Sequence, residues 1–149
     1  FLSRFIMPPS YTPIIAMAIF MPLMSNNKMM QLFLPVSILL LSDLLLGFYG
    51  QTMLFVYGSM ILIGLLARKI NDGSLGSLVK SSISSVILWH LIVNFGVYLN
   101  GLGTKTLAQT YALAIPFDFR LLLSTLFFSL IFYSALQLSK RTYSLKTSD

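Results

Sequence analysis

The sequence predicts an all-α polytopic membrane protein, a bundle of six transmembrane helices with five as the fallback. Three observations carry that reading. Only 9% of the 149 residues are charged, against about 25% in a soluble domain. Charge-free windows lie at 5–27, 29–42, 44–67, 81–104, 106–117 and 121–139, and a bilayer span takes about 20 mostly apolar residues. The apolar runs also lack the alternation of a membrane barrel. A single integral membrane domain over 1–149 is expected, with no soluble domain attached.

The first helix is expected over about 13–24. Pro13 suits a first helical turn, where a missing N–H costs nothing, and Pro22 should kink or end the helix. At this length it is short for a span and reads as tilted, broken or re-entrant. The second helix, about 29–48, carries Pro35, which a membrane helix tolerates because neighbours can satisfy the freed carbonyl. Gly47-Phe48-Tyr49-Gly50 makes a tight break, and the third helix follows over about 51–67. Together they form a hairpin, LPVSILLLSDLLLGFYGQTMLFVYGSMILIGLLARK, stopped by Arg68 and Lys69. The fourth helix, about 75–99, opens on the small residues Ser77, Ser81, Ser82, Ser84 and Ser85, which permit close packing. Pro116 and the charges at 118 and 120 should separate a short fifth helix, about 106–115, from a sixth, about 121–138. The basic segment 139–149 reads as a flexible tail.

Composition excludes several function classes. Without cysteine there are no disulfides, thiolate nucleophiles or cysteine metal sites. The net charge of +6 is spread thinly at helix ends, which points to anionic lipid headgroups rather than nucleic acid. Six spans would put both termini on one side. Arg4, Lys105, Lys140, Arg141 and Lys146 would then face Lys28, Arg68, Lys69, Lys80 and Arg120 across the bilayer. That is a tie under the positive-inside rule, and the basic tail tips both termini towards the cytoplasm or its equivalent. No serine/histidine/acid set, phosphate loop or metal-ligand cluster is present, so no enzymatic activity is expected.

Few residues could carry chemistry. Asp43 is a carboxyl group inside a span, at a cost of about 3 kcal/mol on insertion scales. It should point into the bundle, either to contact a substrate or ion or to take a hydrogen bond across the hairpin from Gln51, Thr52 or a backbone amide. His90, Asn94 and Tyr98 recur every fourth residue and form a polar stripe on helix 4. That stripe could wall a ligand pocket beside Asn94, between helices 4 and 6, or bond to neighbouring helices. His90 could also be an axial ligand to a metal or tetrapyrrole pigment, though a lone histidine makes no structural zinc site. Asp118 and Arg120 read as an interfacial ion pair or as charges solvating a loop, and the aromatics Phe117, Phe119, Phe127, Phe128, Phe132 and Tyr133 as lipid or core contacts.

The segments YTPIIAMAIF, LLLSDLLLGFYG, VNFGVYL and AIPFDFR, spread over 8–135, also carry a resemblance. They resemble an uncharacterised family of small bacterial membrane proteins grouped with the substrate-binding (S) components of energy-coupling-factor vitamin transporters. The resemblance implies a six-helix S-component-like bundle that binds a small vitamin-type solute and docks on a separate transmembrane module. Docking would use small residues of helix 1, here Ala16 and Ala18. The residues themselves leave a second class open: an accessory subunit of a larger photosynthetic or respiratory complex, in contact with other membrane subunits, lipid or pigment. A chain without an initiator Met suits an organellar membrane, thylakoid or mitochondrial, as well as a bacterial inner membrane.

Overall fold

The computed structural model describes residues 10–102 and 106–146, the last six as backbone only. Five helices are present among the described residues: α1 (Ile14–Met24), α2 (Lys28–Leu46), α3 (Thr52–Ile70), α4 (Leu75–Leu99) and α5 (Leu107–Lys146). The count is therefore the fallback, not six. Helices expected over 106–115 and 121–138 are one rod running through Pro116. The proline removes one N–H, but a bilayer offers no water to an interrupted backbone, so staying helical is cheaper than breaking. The tail is helical too, as far as Lys146. The other spans fall within a few residues of expectation. Four of the helices, α2 to α5, are long and apolar enough to cross a bilayer, which makes this an integral membrane protein.

Local chemistry sets the helix ends. The Asn27 side chain accepts from the amides of Met29 and Met30 and starts α2, an N-cap that satisfies two otherwise orphaned donors. Ser74 does the same for α4 through Ser77 N–H at 3.1 Å. Between α2 and α3 the chain turns through Gly47 at φ 96° and Gly50 at φ 71°, a backbone region that side chains disfavour. Arg68 and Lys69 occupy the last turn of α3, where positive charge complements the helix dipole.

The four long helices stand in chain order, each packed on the next, and α1 touches every one of them. It fills the space between α2 and α5. Ile15, Ala16, Ala18, Ile19 and Phe20 are all essentially inaccessible. A helix that is hydrophobic all round belongs inside a bundle. Length gives a second reason. Eleven residues rise only about 16 Å, half of a hydrocarbon core of about 30 Å. One end of α1 therefore stops at membrane depth, where backbone donors are tolerated only inside protein or beside a cavity. Ala16 and Ala18, expected as an external docking face, are instead internal packing residues.

The other end of α1 is tied to the α3–α4 turn. Asn71 donates from Nδ2 to the Ile19 carbonyl at 2.9 Å, next to the carbonyl that Pro22 leaves without its helical partner. Of the α4 serines, Ser77, Ser81, Ser82 and Ser85 are buried and Ser84 is half-buried, with Ser82 meeting Ser129 of α5 at 3.4 Å. Gly96 lets α3 approach α4: a Cβ there would overlap the Phe55 ring. The odd number of traverses puts Ser10 near the 47–51 turn and Lys140 at the opposite end. Both described ends of the chain thus lie on opposite faces, not on one side.

Candidate functional site

Two carboxyl groups lie inside the bundle, and each collects polar partners. Asp43, on the last turn of α2, is 0% exposed. Tyr49 and Tyr57 donate to its Oδ2 at 3.1 and 2.8 Å. Asp43 therefore points inward as expected, and two of its donors are tyrosines, one in the turn and one in the second turn of α3. Thr52 accepts from Asn100 Nδ2 at 3.2 Å.

The second centre joins α4 to α5. Asp118 Oδ2 lies 2.7 Å from His90 Nδ1 and accepts from Asn94 Nδ2 at 3.0 Å. Because a carboxylate oxygen accepts, the network assigns the imidazole proton to Nδ1. Asn94 spends its second N–H on the His90 carbonyl at 2.9 Å. The Tyr111 ring lies 5.2 Å from the imidazole, centroid to centroid, and its hydroxyl donates to the Leu91 carbonyl at 2.7 Å. His90 and Asp118 side chains are 22% and 14% exposed, so the pair is sheltered but reachable.

Asp118 does not pair with Arg120. Residues two apart on a helix point to different sides, and once 116–120 is helical the ion pair is geometrically excluded. Arg120 is exposed, with its guanidinium 6.0 Å from the Phe117 ring centroid. The expected stripe holds for His90 and Asn94. Tyr98 is on the same side but its hydroxyl makes no hydrogen bond among the described residues. Of the aromatics, Phe117, Phe119 and Phe127 are exposed, while Phe132 packs against Phe20 with centroids 5.7 Å apart.

A cavity of about 520 Å³ opens in the half of the bundle nearest the 47–51 turn, where α1 has ended. Every helix contributes to it. Ser10, Tyr11 and Thr12 line it just before α1, Leu39 comes from α2, Tyr49 from the turn, Val56 and Met60 from α3, Trp89 and Val93 from α4, and Asp118 and Leu121 from α5. Among the described residues its walls are mainly apolar, with a few hydroxyls and one carboxylate. The cavity differs from the pocket expected beside Asn94 between helix 4 and the last helix: all five helices wall it and Asn94 does not line it, acting one step back by holding Asp118. Sequence reasoning missed Trp89, Tyr11 and Tyr49. The signal available was that the chain's one Trp adjoins the intramembrane histidine.

Residues 1–147 match the family described as "Family of unknown function (DUF6580)". The chain belongs to that family. No curated protein and no solved structure matches it. Among the described residues no group of three or more His, Cys, Asp or Glu could hold a metal ion. The Asp118 contact assigns the His90 proton to Nδ1 and leaves Nε2 as the unprotonated ring nitrogen.

Proposed function

We propose that this protein is a non-enzymatic integral membrane subunit that binds a small, vitamin-type solute for a transporter, in the manner of an S component. The observation that carries this is the cavity. Small-molecule sites are typically concave spaces of about 300–1,000 Å³, mostly apolar, with a few placed polar groups. A cavity walled by all five helices, half-way into a bilayer, with one oriented carboxylate, fits that description. The resemblance of SDLLLG and NFGVY to the uncharacterised relatives of S components supports the same reading. Lys28, Arg68, Lys69, Lys80 and Lys140 gather at the end away from the cavity, and Arg120 is the one described Lys or Arg in the other half. The positive-inside rule then directs the cavity away from the cytoplasm or its topological equivalent, as solute uptake across a bacterial inner membrane requires.

A second reading has its own support. The Asp118-oriented imidazole of His90, partly exposed on the bundle, suits contact with a tetrapyrrole or a neighbouring subunit in an accessory protein of a thylakoid or mitochondrial complex. Purification from its native membrane in mild detergent separates the two. Co-purifying ATPase subunits, together with a small molecule released on denaturation, are expected. Recovery inside a large pigment-bearing or electron-transfer assembly, with no small molecule released, rejects solute binding in favour of the accessory role.

A further inference from the structure

We infer that the solute is a small organic cation, an ammonium group on an apolar body. This rests on the solute-binding reading above and specifies its chemistry.

Among the described lining residues there is one charged side chain, Asp118, and no Lys or Arg. Both hydrogen bonds to that carboxylate, from His90 and Asn94, arrive at Oδ2. Oδ1 makes no hydrogen bond among the described residues, and it is not sealed from solvent. One oxygen is thus anchored and the other remains for a ligand. An anion entering this space would meet a carboxylate in a low-dielectric surround and find no cationic partner among the described lining residues. The aromatic rings Trp89, Tyr11 and Tyr49 share the wall, and aromatic faces attract cations, quaternary ammonium groups included. The remaining surface, Ile15, Val56, Met60 and Val93, suits an apolar body.

One feature acts against a cation and does not prevail. The N-terminus of α1 opens on the cavity and carries about half a positive charge, less than the full charge of the carboxylate.

The chain's one tryptophan lies in the cavity wall, so its fluorescence reports occupancy directly. The purified full chain in lipid nanodiscs at low salt is titrated with three probes of one shape: choline, its neutral isostere 3,3-dimethylbutanol, and the anion 3,3-dimethylbutanoate. Choline is expected to bind at least tenfold more tightly than the alcohol, and the anion most weakly. Asp118→Asn should erase the preference while the alcohol still binds; Asp118→Glu should keep it. If the asparagine variant does not fold, the ranking on the native chain decides. Equal binding of all three, lost on filling the cavity with Val93→Trp, overturns the cation and leaves solute binding standing. Tightest binding of the anion overturns it outright. No change in Trp89 emission with any probe removes both the cation and the solute-binding reading.

Discussion

Asp43 and Asp118 are carboxyl groups in transmembrane helices of one protein, and the bundle treats them differently. Asp43 is sealed. Two tyrosine hydroxyls converge on it, 3.1 and 2.8 Å away, and fasten the turn and α3 to the end of α2. Asp118 is held from one side only, by two partners on α4, and borders a cavity. The cost of placing such a group in a bilayer is met in both cases by donors inside the protein. What differs is whether any capacity is left over. A carboxyl group surrounded by donors on its own hairpin acts as a clamp, while one anchored at a single oxygen beside an open space can recognise something.

That contrast can be broken by substitution. Asp43→Leu should have the largest effect on stability. It takes a shared acceptor from two half-buried tyrosine hydroxyls, each such bond worth about 0.5–1.5 kcal/mol, so a loss of about 1–3 kcal/mol is expected in denaturant unfolding in detergent. A variant as stable as the native chain would show that Asp43 clamps nothing. Tyr57→Phe and Tyr49→Phe should each cost about 0.5–1.5 kcal/mol, the former more because its bond is shorter. Equal and negligible losses would point to some other fastening of the hairpin.

Asp118→Asn should cost under about 1 kcal/mol in the same unfolding assay, because the amide oxygen can still accept from His90 and Asn94. Its main consequence should appear in ligand selectivity. A stability loss as large as that of Asp43→Leu would mean that the two sites are both clamps.

The smallest effect belongs to a third aspartate, at the surface. Asp72 accepts from Ser74 N–H at 2.8 Å, and the Ser77 hydroxyl, then the Ser74 amide and hydroxyl, lower its pKa from the ordinary 3.8 to about 2. A depressed carboxyl pKa stabilises the folded state above the unfolded value and is lost as pH falls through the folded one. Unfolding midpoints of the native chain and Asp72→Asn should therefore differ slightly above about pH 4 and converge as pH approaches about 2. A difference that persists at the acid end would place the effect elsewhere.

Fold class is legible in the sequence because a chain that folds in water rarely keeps charge out of several successive runs of bilayer length. The hairpin is legible because Gly47 and Gly50 sit between two such runs. Pro116 misleads for a physical reason. Proline and two charges within five residues end a helix in water, but in a bilayer the alternative to helix is unpaired backbone. The charge that speaks against a helix there, Asp118, is accommodated by a residue 28 positions earlier in the chain. For the site, the step of four from His90 to Asn94 is visible, whereas the partners of Asp43 are not. Donors are expected immediately across the turn, and Tyr57 lies a further turn along α3. The cavity is invisible too, since it exists because α1 stops half-way, and a sequence gives a helix's length without giving its neighbours.

The half-length of α1 has one more consequence. Below the cavity, Ile15, Ile19 and Phe20, all inaccessible to solvent, fill the axis of the bundle. The protein is thus a cup rather than a tube. A molecule that enters from the 47–51 end must leave by the same mouth unless something displaces the floor, and the helix forming that floor is the shortest of the five, tied to the α3–α4 turn by the amide of Asn71. Vesicles containing this chain without other proteins should hold their contents, and any vectorial movement of solute must come from a partner able to push on that floor.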